Sequence, residues 1–174
     1  ALARAAVGVL RENGYGVWFH DLYAEGFDPV LNLEELNAPF SGALAEYQRE
    51  LQAAEGILIF HPNWWGQPPA ILTGWLDRVL REGIAYTKEA DGTITGRLKA
   101  RAALVFNTSN TPAPLEDARF GDPLQRLWKD CVFGLCGVPA FDRCMFRVVA
   151  QSTPQQRQSW LEEVRAMVSA YFPK

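Results

Sequence analysis

The chain predicts an α/β fold built on a mostly parallel sheet, and three observations carry that prediction. Helical and extended patterns alternate along its 174 residues. The runs Gly56-Ile57-Leu58-Ile59-Phe60 and Ala102-Ala103-Leu104-Val105-Phe106 are apolar without interruption, as strands covered on both faces must be. No linker or repeat breaks the alternation, so residues 1–174 read as one domain, and 48% hydrophobic content supplies ample material for its core.

The elements follow in order. Helical spacing over residues 2–13 ends at Gly14, a natural C-cap, and residues 15–21 then read as a strand through Val17, Trp18 and Phe19 to His20 and Asp21. Ser41 caps a helix to about residue 54 whose inner face carries Leu44, Tyr47 and Leu51. The strand 56–60 leads to a helix over 69–81. A second buried strand spans 102–106, a helix 123–135, and a strand with alternating pattern 141–149. The last helix has Thr153 as N-cap and Pro154 as its first residue, and ends near Tyr171. Four strands are thus expected in a chain that opens on a helix.

Composition removes several classes of function. A net charge of −3 with no polybasic run gives no electrostatic basis for nucleic acid or an anionic membrane. Without a transmembrane-length apolar stretch or a signal-peptide pattern, no direct membrane insertion is expected and the cytoplasm is the expected compartment. Cys131, Cys136 and Cys144 are an odd, sparse set that fits a reducing compartment; with only His20 and His61 beside them they make no zinc-ligand spacing, and they read as small core hydrophobes. Gly-x-Ser-x-Gly, P-loop and His-Glu-x-x-His strings are absent.

The informative stretch runs from His61 to Arg78, where strand, aromatic loop and helix follow one another. Open α/β sheets keep their ligands at such a place. Adjacent Trp64 and Trp65 are hard to bury together, because successive side chains of extended backbone point opposite ways. A flat ligand would cover the one left outside. Trp75 lies at helical spacing from Ile71 and Val79 and reads as core. His61 reads as a structural histidine bonded to backbone, His20 as a loop-ordering residue, Asp77 and Arg78 as surface or helix-terminal pairs, and Glu34, Glu35, Glu162 and Glu163 as solvated helix faces.

Pro62, Trp65, Pro69-Ala70-Ile71-Leu72, Gly74-Trp75 and Asp77-Arg78-Val79 together resemble the flavodoxin-like NAD(P)H quinone oxidoreductases, whose pattern runs Phe-Pro-x-x-Trp-x-x-x-Pro-Ala-Ile-Leu-Lys-Gly-Trp. The likeness extends through Asp21-Leu22-Tyr23-Ala24, Phe27-Asp28-Pro29, Phe120-Gly121-Asp122, Leu127-Trp128 and Leu135-Cys136-Gly137. It implies a flavodoxin-like three-layer sandwich, FMN or FAD as cofactor, NADH or NADPH as co-substrate, and a quinone-like acceptor. Hydride transfer would run by a ping-pong mechanism, in a homodimer with a shared active site.

Carried over by residue, the resemblance sets Pro62, Asn63, Trp64 and Trp65 beside the isoalloxazine, with backbone N–H groups of their loop at its N5 and O4 edge. It sets Asn107, Thr108, Ser109 and Asn110 on a second loop at the pyrimidine edge, where asparagine and serine replace the family's glycines. Tyr86 matches an aromatic bordering the substrate pocket, often contributed by the partner, and is the one catalytic candidate, as a hydrogen-bond donor to a quinone oxygen. Pro114 and Phe120 stand where the family has a Tyr and a His, so protons are expected from water or substrate.

In the same fold the first strand is central, in the order 2-1-3-4-5, and the loop after it holds the flavin phosphate. Here that strand and loop are expected upstream of residue 1, within roughly twenty residues. Two alternatives accompany the resemblance: a regulatory flavoprotein subunit of a potassium-efflux-type membrane system, or a truncated chain that binds no flavin.

Overall fold

The structure, a computed structural model, describes residues 1–37 and 42–174. In chain order its elements are helices α1 (Leu2–Glu12), α2 (Leu33–Asn37) and α3 (Gly42–Ala53), strand β1 (Gly56–Pro62), helix α4 (Ala70–Val79), strands β2 (Tyr86–Lys88), β3 (Ile94–Gly96) and β4 (Ala102–Thr108), helices α5 (Ala113–Phe120) and α6 (Pro123–Arg126), strand β5 (Ala140–Phe146) and helix α7 (Pro154–Tyr171). A π-helical segment, Leu127–Gly134, continues α6, and a short 3-10 turn, Val149–Gln151, precedes α7.

The main sheet is parallel in the order β1-β4-β5, with Gly56 opposite Ala102 and Ala102 opposite Ala140. β4 sits between the other two and is buried along both faces, which is why its sequence does not alternate. On one face Ala103 and Val105 pack with Tyr47 and Leu51 of α3, Leu72 and Val79 of α4, and Leu124, Trp128 and Phe133 of the α6–π segment. On the other, Ala102, Leu104 and Phe106 pack with Ala6, Val9 and Leu10 of α1 and Val164 and Val168 of α7. This is the expected three-layer arrangement, a parallel sheet between two helical layers.

Several sequence expectations are corrected. Residues 15–21 form no strand: β1's one ladder partner is β4 among the described residues, so nothing pairs this segment, and Trp18 and Phe19 are half exposed. The strand expected over 141–149 stops at Phe146, before Val148 turns left-handed at φ 57°. The helix expected over 123–135 is α only to Arg126. The β2–β3 hairpin, turning at Asp91-Gly92, was not anticipated because three-residue strands carry no readable period. Ser41, the expected cap of α3, lies outside the described residues. The caps of α1 and α7 match expectation: Gly14 is left-handed at φ 91°, and Thr153 forms a full capping box with Gln156.

α1 and the chain's end fix the orientation of the molecule. The Asn13 side-chain amide donates to the Phe172 carbonyl at 2.7 Å, Tyr15 Oη to the Pro173 carbonyl at 3.1 Å, and Arg101, which immediately precedes β4, to Tyr15 Oη at 3.0 Å. The carboxyl ends of α1 and α7 therefore lie at the amino edge of the sheet. The amino end of α1 lies at the opposite edge, with the loops that follow β1 and β4.

Candidate functional site

At the carboxyl end of β1 the chain reverses in a two-residue turn. Trp64 and Gln67 exchange N–H···O bonds of 3.1 Å in both directions, and the two residues between them, Trp65 (φ 58°) and Gly66 (φ 74°), are left-handed, the signature of a type I′ turn. Glycine suits the second position, where a Cβ would stand 2.8 Å from the Pro123 ring. Trp65 is a bulky residue in a conformation that costs about 1 to 2 kcal/mol, and it is 97% exposed. Trp64, at 60%, is exposed beside it.

The turn is held from beneath. Asn63 N–H donates to the Thr108 carbonyl at 2.6 Å, and Asn63 Oδ1 accepts from Gly66 N–H at 3.0 Å. Its amide nitrogen donates to Glu116 at 2.5 Å; Glu116, buried on α5, is also paired with Arg147 at 3.4 Å. The N–H groups of Asn63, Trp64, Gly66 and Gln67 are thus committed inside the protein. That narrows the expectation of a row of donors to the single N–H of Trp65. Glu116 and Arg147 were not singled out in the sequence, since one acid and one base 31 residues apart carry no local pattern.

The second loop divides. Thr108 is half exposed and Asn110 exposed, its side-chain Oδ1 accepting from Ala150 N–H at 2.8 Å. Asn107 and Ser109 are buried and correct the expectation that all four face a ligand. Asn107 points into the α4-side core, because one-residue alternation on β4 sets it on the face of Ala103 and Val105. Tyr86 lies on the β2–β3 hairpin at the amino edge, since α4 carries the chain back along the sheet after the aromatic turn. Within one chain it is not brought to the loops.

Below the turn runs a buried polar chain that spans all three strands. Trp128 Nε1 and Asn107 Nδ2 lie 3.0 and 2.8 Å from His61 Nε2, while His61 Nδ1 is 2.7 Å from the Pro62 carbonyl oxygen. Arg143 of β5 donates to Asn107 Oδ1 and to Gln125 Oε1, each at 3.0 Å, and pairs with Asp122, the N-cap of α6. Burial lowers the pKa of His61 to about 4; its bond to the Pro62 carbonyl opposes this and the Arg143 charge adds to it. Burial also lowers Arg143, opposed by Asp122.

The other expected side chains fall as follows. His20 orders its loop by bonding Glu25 and, at 2.6 Å, Glu50. Trp75 packs half buried against the core. Arg78 makes a helix-terminal pair, as expected, but a buried one: in the last turn of α4 it holds Glu35 through both carboxylate oxygens and also grips the Asp28 carbonyl, so Glu35 is not simply solvated. Cys131 is exposed rather than core; Cys136 is buried and Cys144 half buried, and burial pushes their thiols up to about 11 and about 12. Among the described residues no cluster of His, Cys, Asp and Glu suits a metal ion.

The arrangement suits a planar aromatic cofactor: two exposed indoles on a rigid turn, one available backbone N–H, and polar side chains at Thr108 and Asn110 on the neighbouring loop. The amino end of α1 is on the same edge and has no acidic residue in its first turn, so its dipole favours an anionic group there.

The chain is similar to several known proteins. An uncharacterised NAD(P)H oxidoreductase of Haemophilus influenzae is 40% identical over 112 residues, covering 62% of this chain and 55% of that protein. The rat NAD(P)H dehydrogenase [quinone] 1 is 32% identical over 187 residues, covering 93% of this chain and 68% of the rat protein. The chain thus spans little more than half the length of the first relative and two thirds of the second. The structure of an FMN-dependent NADH-azoreductase from Bacillus anthracis in complex with FMN superposes with a TM-score of 0.76 at 15% identity, over 97% of this chain and 89% of that one. A family model described as Flavodoxin-like fold matches residues 1–168, and the chain belongs to that family.

Proposed function

We propose that this chain is the flavin-binding part of an NAD(P)H:quinone oxidoreductase. The observation that carries the proposal is the strained turn that exposes Trp64 and Trp65 at the carboxyl end of β1. The family and the names of the relatives support the cofactor and substrate classes. FMN is favoured over FAD by the FMN held in the Bacillus anthracis structure.

A bound flavin supplies two-electron chemistry, accepting a hydride from a nicotinamide and delivering it to a quinone. The chain's own residues hold and shield the ring. Trp64 and Trp65 wall it and exclude water, the Trp65 N–H offers a fixed donor to an electron-rich edge, and Thr108 and Asn110 border the other side. Among the described residues no side chain near the turn is free to shuttle protons: Phe120 and Pro114 are inert, His61 is buried with both ring nitrogens engaged, and Glu116 is buried and held by Asn63 and Arg147. Protons therefore come from water or substrate. One open pocket admits nicotinamide and quinone in turn, giving ping-pong kinetics. Tyr86 reaches such a pocket only from a second copy, so the active form is a homodimer in which it donates a hydrogen bond to the quinone. Among the described residues no helix is long and apolar enough to cross a membrane, and the cytoplasm is the proposed compartment.

The test is a titration of the purified protein with FMN, followed by absorbance and tryptophan quenching, then initial rates with NADH, NADPH and a soluble quinone. Flavin uptake and parallel double-reciprocal lines are expected. Absence of FMN binding would sink the proposal, and intersecting lines would refute the single pocket.

A further inference from the structure

The buried chain under the aromatic turn fixes the protonation of His61. An indole nitrogen only donates, so His61 Nε2, 3.0 Å from Trp128 Nε1, must accept. The Asn107 amide is oriented by Arg143, which takes its oxygen; its nitrogen therefore faces the same Nε2, at 2.8 Å. With two donors converging on Nε2, the ring proton is on Nδ1, which donates to the Pro62 carbonyl at 2.7 Å.

That carbonyl belongs to the last residue of β1 and is bonded to Asn63 N, the amide that donates to Thr108 and opens the turn. The bond from His61 fixes the plane of this peptide. We infer that His61 is a positioning residue: as its neutral Nδ1–H tautomer, held by Trp128, Asn107 and Arg143, it sets the pitch at which Trp64 and Trp65 are presented. The inference rests on the proposed role of that turn in holding a flavin.

Two variants separate positioning from packing. His61→Gln puts a carbonyl within reach of Trp128 and Asn107 but no donor at Pro62. His61→Asn keeps a donor at the Nδ1 position but leaves the two buried donors without their acceptor. Loss of one hydrogen bond at the Pro62 carbonyl is worth up to about tenfold in affinity. His61→Gln is therefore expected to bind FMN up to about tenfold more weakly than His61→Asn, although His61→Asn should melt lower.

Nitrogen-15 NMR of the whole protein should show a neutral, Nδ1-protonated His61 at neutral pH. An Nε2-protonated ring or an imidazolium overturns the inference, and so does FMN affinity that follows melting temperature in both variants. If the parent binds no FMN, the proposed function fails separately. The ordering is then read from amide exchange at Asn63, Trp64 and Gly66, faster in the Gln variant than in the Asn variant; equal rates overturn the inference.

Discussion

Trp65 combines two costs that rarely persist together without a use, left-handed backbone at a large residue and a side chain 97% in water. Glycine at this position removes the backbone cost, whereas alanine keeps it. Trp65→Gly should therefore be more stable than Trp65→Ala by about 1 kcal/mol, less the entropy that glycine returns to the unfolded chain. Both should lose FMN affinity; urea unfolding and flavin titration of the pair separate strain from contact.

At His61 the linkage has a definite sign. An unfolded histidine takes a proton near pH 6.5 and the folded ring only near 4, so between these values the unfolded state binds more protons. The stability present above pH 6.5 is lost as the pH falls towards 4, by on the order of 3 kcal/mol. Unfolding free energies at pH 7 and 4.5 should fall further for the parent than for His61→Gln, which has no imidazole to charge.

At the scale of elements, α4 positions the turn and is itself held by the segment that crosses it. The Pro29 carbonyl lies so close to Gly74 that a Cβ there would meet it at 2.2 Å. Helix propensity alone favours alanine over glycine by about 1 kcal/mol, while overpacking costs about 1 to 3. Gly74→Ala should therefore lower the melting temperature; a rise would mean that residues 28–30 dock loosely.

The same elements show what could be read in the chain. β1, β4, α1, α4 and α7 were legible because period, caps and unbroken apolar runs are local signals, and His61 and His20 were legible as ordering residues. Glu116, Arg143 and the buried role of Asn107 were not, because each owes its role to a partner brought near by the sheet. The π segment was hidden for a related reason. Its composition is that of an ordinary helix, and nothing local marks the wider turn that carries Trp128 to His61.

For the molecule as a whole, the site proposed above is gathered at one edge of the sheet. The hairpin bearing Tyr86 sits at the other, so the complete site proposed above requires two copies. Light scattering at micromolar concentration should find a homodimer, and Tyr86→Phe should raise KM for the quinone several-fold, as loss of one hydrogen bond would. A monomer by scattering would remove Tyr86 from the site.

The bonds from Asn13 to Phe172 and from Tyr15 to Pro173 pin the last residues at the edge remote from the tryptophan turn. α7, 18 residues long and therefore about 27 Å from end to end, separates the two. A protein grafted to a bead or an electrode through Lys174 would accordingly have the support at the edge of its own sheet away from Trp64 and Trp65, leaving the side from which soluble substrates and the second copy approach clear of it.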